Sequence, residues 1–221
     1  MRHPSDKPRV ALCIPSGDTW KSLTGFHVMS LGAYSAPHVT LMPINVRTQD
    51  TAESRNQMTA AALDEDADYL LWIDADMIMP PDALLRLLKR DVDVVGADYR
   101  RRAPPFPRIG KPIDASAPDR GMVEVSMLGL GLMLIRADVL KKMMRPWFLR
   151  MWVLEHAAPD NPSGFSTEDG YFCGYARHLG YTVWADLDLS QDVGHIAEQL
   201  IPWDMDGGAK TEGVGCLKTS A

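Results

Sequence analysis

Cysteine is scarce in this 221-residue chain: Cys13, Cys173 and Cys216 are odd in number and widely spaced. That pattern excludes a disulfide framework and a clustered zinc site, and Cys13, inside an apolar run, reads as a core thiol. Long hydrophobic runs are missing as well. None approaches the roughly 18 residues of a membrane span, so no membrane-spanning segment is expected. The opening Met-Arg-His-Pro-Ser-Asp-Lys-Pro lacks the apolar stretch of a secretory signal. A reduced, cytoplasmic protein is the expectation. Net positive charge is also absent. The formal charge of -6 argues against a protein that coats nucleic acid.

Apolar residues make up 46 % of the chain, ample for a core. The expectation is a single domain over 1–203 followed by a flexible, Gly-rich tail over 204–221. Arg9 to Pro15, His38 to Ile44, Tyr69 to Ile73, Val92 to Ala97, Met122 to Ser126, Leu132 to Ile135 and Tyr181 to Ala185 read as strands. Helices are expected from Trp20 to Tyr34, from Asp50 or Thr51 to Glu65, from Pro81 to Lys89, from Ala137 to Met144, and from Ser166 to Gly180. Strand and helix alternate through the first half. The fold class is therefore α/β, with a mostly parallel central sheet covered by helices on both faces. Such sheets bind ligands at the carboxyl ends of their strands.

One stretch stands out: Tyr-Leu-Leu-Trp-Ile-Asp-Ala-Asp over 69–76, a buried strand ending in two carboxylates. Carboxylates at such a place are costly unless neutralised, and hard oxygen ligands suit magnesium or manganese. Residues two apart can project to one side, so Asp74 and Asp76 can serve one site. The plainer alternative is that one of them caps the following helix.

Charge is also unevenly spread. Between Arg86 and Lys111 stand eight basic residues against three acids, with Arg100-Arg101-Arg102 at the centre. That excess can meet phosphate, or it can be a solvated loop. The same region holds five prolines between 99 and 121, the mark of a long surface loop. A second polar loop is expected over 157–166.

Four places together resemble glycosyltransferases of the GT-A (Rossmann-like) type, in particular the large family-2-like group. They are the first strand ending in Pro15-Ser16, the Ala52-Glu53-Ser54-Arg55-Asn56 helix start, Asp74-Ala75-Asp76, and the Glu168-Asp169 segment. The resemblance covers roughly residues 9–196. It implies a metal-dependent enzyme that moves one sugar from a nucleotide-sugar, with a UDP-sugar the commonest donor, to an acceptor hydroxyl. By resemblance Pro15, Ser16, Arg55, Asn56, Asp74, Gly129 and Gly131 surround the donor. Asp74, Asp76 and His195 then hold Mn2+ or Mg2+, with Asp76 the direct ligand. Imidazole among the ligands favours manganese over calcium.

Asp169 is the candidate base for the acceptor hydroxyl if the enzyme inverts, with Glu168 as the neighbouring charge that raises its pKa. The alternative is a helix cap, since Ser166-x-x-Asp169 is close to a capping box. Trp147, Phe148 and Trp152 can stack on a sugar or base, or pack in the core.

Departures from the family also carry information. The chain is short, and it lacks the Gln-x-x-Arg-Trp segment of processive polymerases, which implies transfer of a single sugar. Its size resembles bacterial or phage-encoded members, some of which glycosylate hydroxymethylated bases in DNA. Modified DNA, a glycan, a protein and a small molecule are the acceptor classes considered. Two other readings compete: a nucleotidyltransferase, and a nucleotide-sugar binding protein without catalysis.

Overall fold

In the computed structural model, the described residues are 7–17, 19–46, 48–102, 105–152 and 164–197. The expected tail over 204–221, Cys216 and most of the 157–166 loop lie outside them. Six helices are present among the described residues: α1 (Ser22–Ser35), α2 (Thr51–Asp64), α3 (Ala83–Lys89), α4 (Ala137–Lys142), α5 (Glu168–His178) and α6 (Leu187–Ser190). The first six strands are β1 (Arg9–Cys13), β2 (Thr40–Ile44), β3 (Tyr69–Ile73), β4 (Met77–Ile78), β5 (Val94–Gly96) and β6 (Lys111–Pro112). The remaining six are β7 (Met122–Met127), β8 (Leu132–Arg136), β9 (Met151–Trp152), β10 (Phe165–Ser166), β11 (Val183–Asp186) and β12 (Gly194–His195).

Eight strands form one sheet in the order β2-β1-β3-β8-β5-β11-β7-β6. The expected mostly parallel sheet is corrected here, because the sheet is mixed. Only β1–β2, β1–β3 and β5–β11 pair in parallel. The contacts β3–β8, β5–β8, β7–β11 and β6–β7 are antiparallel. The cause lies in the connections. A parallel neighbour needs a crossover, usually a helix, as α1 and α2 supply in the first half. Among the described residues between β5 and β8 there is no helix, only loop and the β6–β7 pair, so β8 can insert antiparallel between β3 and β5.

Helices cover both faces, as the alternation implies. Strand residues divide strictly by parity: Leu70 and Trp72 of β3 join one core, Leu71 and Ile73 the other. The first core is closed by α2 (Met58, Ala62), α4 (Val139, Leu140) and α5 (Phe172, Ala176). The second is closed by α1 (Val28, Leu31) and α3 (Leu84, Leu87). Burying each such aliphatic or aromatic side chain contributes about 1.5–3 kcal/mol. Cys13 and Cys173 are buried free thiols, the latter pushed up to about 12 by burial, which suits core packing.

Local caps decide two alternatives. Asp50 caps α2 by accepting from the Glu53 amide at 2.8 Å. The α5 cap is Thr167, which accepts from the Gly170 amide, so neither Ser166 nor Asp169 closes that helix. Asp74 and Asp76 likewise cap no helix. They form the turn between β3 and β4, and β4 pairs with β12 near the end of the described chain. No helix among the described residues is long and apolar enough to cross a membrane.

Candidate active site

The carboxyl ends of β1 and β3 and the start of α2 open into a cleft of about 620 Å³. Pro15, Arg55, Asp74, Asp76, Glu168, Asp169 and His195, named in the sequence from five separate segments, all line it. The turn that presents the two aspartates is tied on both sides. The Asp74 amide donates to Gly131 at 3.0 Å, and Ile196 donates to the Asp76 carbonyl at 2.8 Å.

Arg55 is the hub. It projects from α2 into the protein and is 1 % exposed, with its guanidinium 5.3 Å from the Trp72 ring centroid. Nη2 donates to Asp74 Oδ1 at 2.8 Å. At 3.8 Å stand Glu168 Oε1 and Asp169 Oδ1. Burial alone would lower its pKa, yet the three carboxylates hold it above the ordinary value. Its Nε and Nη1, and Oδ1 of Asp169, are buried with no hydrogen-bond partner among the described residues. Unpaired polar atoms buried beside a cleft call for an explanation, and a catalytic role is one.

Glu168 and Asp169 are adjacent in sequence and opposite in state. Despite burial, Glu168 is held below the usual carboxylate range by Arg150, which donates to Oε2 at 2.9 Å. Asp169 has no such bond from an arginine. Burial pushes it up to about 7, opposed by Arg55 and reinforced by Asp74 and Glu168. Two carboxyl groups with pKa values driven apart by environment are the usual arrangement for acid–base work.

Asp76 and His195 meet across the β4–β12 pair, Oδ1 to Nε2 at 3.3 Å. His195 Nδ1 lies 3.0 Å from the Arg100 carbonyl. When Nδ1 carries the proton it donates to that carbonyl, and Nε2 presents a lone pair toward Asp76, as a metal-binding histidine does. Arg102 donates to the other Asp76 oxygen at 2.7 Å. His195 and Arg102 outweigh burial and hold Asp76 low, while Asp76 outweighs burial and raises His195. Asp74, turned to Arg55, does not join Asp76 and His195, and no cluster of three or more such ligands occurs among the described residues. One carboxylate and one imidazole nevertheless fit Mg2+ or Mn2+, which take few protein ligands when substrate phosphates supply the rest.

The other expected site residues have different surroundings. Asn56 is committed to structure: its Nδ2 donates to the Ala52 and Phe148 carbonyls, and its Oδ1 accepts from the Trp147 and Phe148 amides. Ser16 lines an adjoining hollow of about 450 Å³ with Ile14, Trp20 and Pro43. Gly129 and Gly131 make room for Tyr99, since a Cβ at Gly131 would sit 2.5 Å from its hydroxyl oxygen. Trp147 and Phe148 are core residues, the latter stacked on Phe172, whereas Trp152 is exposed. The basic 86–111 segment is neutralised in part. Arg86 pairs with Asp192, Arg90 with Asp186 and Asp188, and Arg108 with Asp98 and Asp119.

Three residues of the site went unread in the sequence: Tyr99, Arg102 and Arg150. Tyr99 is 5 % exposed, accepts from the Gly131 amide at 2.9 Å and packs T-shaped with the His195 ring. An aromatic just past a strand end was the available signal for it. Arg102 stood in the basic triplet, but its partner Asp76 is visible only in three dimensions. Arg150 carries no local signal.

No protein-family model matches this chain, and no curated protein does. Among solved structures, the crystal structure of A197 from STIV is similar, with a TM-score of 0.52 at 18 % identity. The likeness covers 80 % of this chain and 81 % of that one. At that identity it speaks to the fold alone.

Proposed function

We propose that the protein is a metal-dependent glycosyltransferase of the GT-A type, using a nucleotide-sugar, with a UDP-sugar as the first donor to try. The observation that carries the reading is the convergence in one cleft of the Asp76–His195 pair and the proton-holding Asp169, joined through buried Arg55. Every one of these residues belongs to a segment that resembles that family.

Asp76 and His195 would hold Mn2+ or Mg2+, whose contribution is to neutralise a diphosphate leaving group as a Lewis acid. The protein does the rest. Its Arg100 carbonyl orients the His195 ring through Nδ1. Arg55 clamps Asp74, Glu168 and Asp169 from behind, so the carboxylates keep their places when a substrate enters. Asp169, ionised, accepts the proton of the acceptor hydroxyl as that oxygen attacks the anomeric carbon. Glu168, held charged by Arg150, stays an acceptor and keeps the Asp169 pKa up.

The test is binding and slow hydrolysis of a panel of nucleotide-sugars, with and without Mn2+, on the wild type and Asp76→Ala. Manganese-dependent binding of one donor, lost in the variant, supports the reading and names the sugar. Absence of binding to every donor, in either condition, sinks it.

A further inference from the structure

The carboxylate cleft has a neighbour that the proposed chemistry does not use. A second cleft of about 680 Å³ shares Tyr99, Arg102 and His195 with it, so a ligand lying there reaches the edge of the first. One side is a short ladder in which Ile109 donates to Tyr99 and Arg101 to Pro107. The other side comes from Ser190, Gln191 and the 193–197 segment.

Four arginines line this cleft, Arg100, Arg101, Arg102 and Arg108, against two carboxylates, Asp98 and Asp119. Both carboxylates are taken by Arg108, through Nε at 2.6 Å and Nη1 at 3.1 Å. Arg102 reaches across the shared wall to Asp76. Arg100 spends one N–H on the Phe106 carbonyl, and neither it nor Arg101 has a carboxylate partner among the described residues. Of the four arginines, Arg102 and Arg108 are therefore paired with carboxylates among the described residues, and Arg100 and Arg101 are not. Phe106 adds a second feature. It is 42 % exposed and holds φ at 57°, a left-handed backbone that is unfavourable for an aromatic residue. Such strain, kept at a cleft wall, points to a role for the ring there.

We propose that this second cleft binds a phosphate-bearing acceptor, its phosphate oxygens taken by Arg100 and Arg101 and its ring laid on Phe106. Guanidinium suits phosphate because its planar N–H groups match the oxygens in pairs. The word acceptor rests on the glycosyltransferase reading, whereas the binding of phosphate does not. Two sources share this chemistry: the monoester of a sugar phosphate and the diester of a nucleic-acid strand.

The experiment titrates the full chain with a sugar phosphate by calorimetry and with a labelled single-stranded oligonucleotide by fluorescence anisotropy. Wild type is compared with Arg101→Glu and with Lys89→Glu, which makes the same charge change on α3 outside the cleft. Arg101 is exposed, so its reversal does not threaten folding. Expected is binding of one probe by the wild type, weakened about tenfold or more in Arg101→Glu and little changed in Lys89→Glu. Failure of the wild type to bind either probe overturns the proposal, and so does equal weakening by the two reversals. Nucleotide-sugar binding is measured on the same proteins. Loss of phosphate binding in Arg101→Glu, in a protein that binds no nucleotide-sugar, upholds the cleft and removes only its role as acceptor site.

Discussion

Arg102 donates to Asp76 Oδ2 at 2.7 Å while His195 Nε2 stands 3.3 Å from Oδ1, so both oxygens of this carboxylate already face a basic group. A divalent cation placed at Asp76 and His195 competes with the arginine. The Arg102 side chain is 59 % exposed, and such exposed pairs contribute only about 0–1 kcal/mol. Arg102→Ala is therefore expected to tighten Mn2+ binding by about two- to fivefold. Titration followed by electron paramagnetic resonance, without nucleotide, measures it. Weaker Mn2+ binding in the variant would remove Asp76 from the metal site.

Asp169 links activity and stability through one pKa. Burial raises it to about 7, so the base is ionised, and transfer proceeds, only as pH rises through that value. Loss of the base in Asp169→Asn is expected to cost transfer about 10²–10⁴-fold. Stability runs the other way. The fold favours the neutral acid, so this group costs nothing below the ordinary value of 3.8, and stability is lost progressively as pH rises from there to about 7. Asn cannot ionise. Asp169→Asn should therefore gain on the wild type between about pH 4 and about pH 7 and level off above that, read from urea midpoints at each pH.

Removing Arg55 should do the opposite. With the guanidinium gone, Asp74, Glu168 and Asp169 lose their shared counter-charge in a buried setting. Breaking such a pair by removing one partner costs about 3–5 kcal/mol. Arg55→Met should be destabilised by that order, and Arg55→Lys should rescue it only in part, because an ammonium lacks the planar fork. Denaturant unfolding measures both. An Arg55→Met protein as stable as the wild type would show that the hub carries no such charge balance.

Asn56 offers a contrast within the same helix turn. Its amide closes four hydrogen bonds, one to Ala52 within α2 and three that fasten the Trp147–Phe148 segment to that helix. Each such bond contributes about 0.5–1.5 kcal/mol, so Asn56→Ala should lose roughly 2–6 kcal/mol. Nucleotide-sugar binding, measured on the folded fraction, should be unchanged. Loss of that binding at wild-type stability would return Asn56 to the donor site.

The elements were largely legible in the chain. Strand β3 begins and ends where the apolar run from Tyr69 to Ile73 begins and ends, and the start of α2 was marked by Asp50. Such signals are local, written in periodicity and capping. The insertion of β8 between β3 and β5 was not legible, because pairing partners are chosen by long-range fit. The same holds for Gly129 and Gly131, whose small size answers to Tyr99, a residue distant in sequence.

Apolar spacing and capping act over a few residues, so the long strands and helices could be read from the chain, whereas the two-residue strands β4, β6, β9, β10 and β12 and the short α6 could not. The sequence by itself also supplied the carboxylates, the arginine and the histidine of the cleft. Only the tertiary structure decided what each became. Asp74 was drawn to Arg55, Asp76 to His195 and Arg102, Glu168 to Arg150, and Asp169 was left to burial. A carboxylate's state depends on its solvent and its nearest charge, and both are set by residues that meet only when the sheet closes.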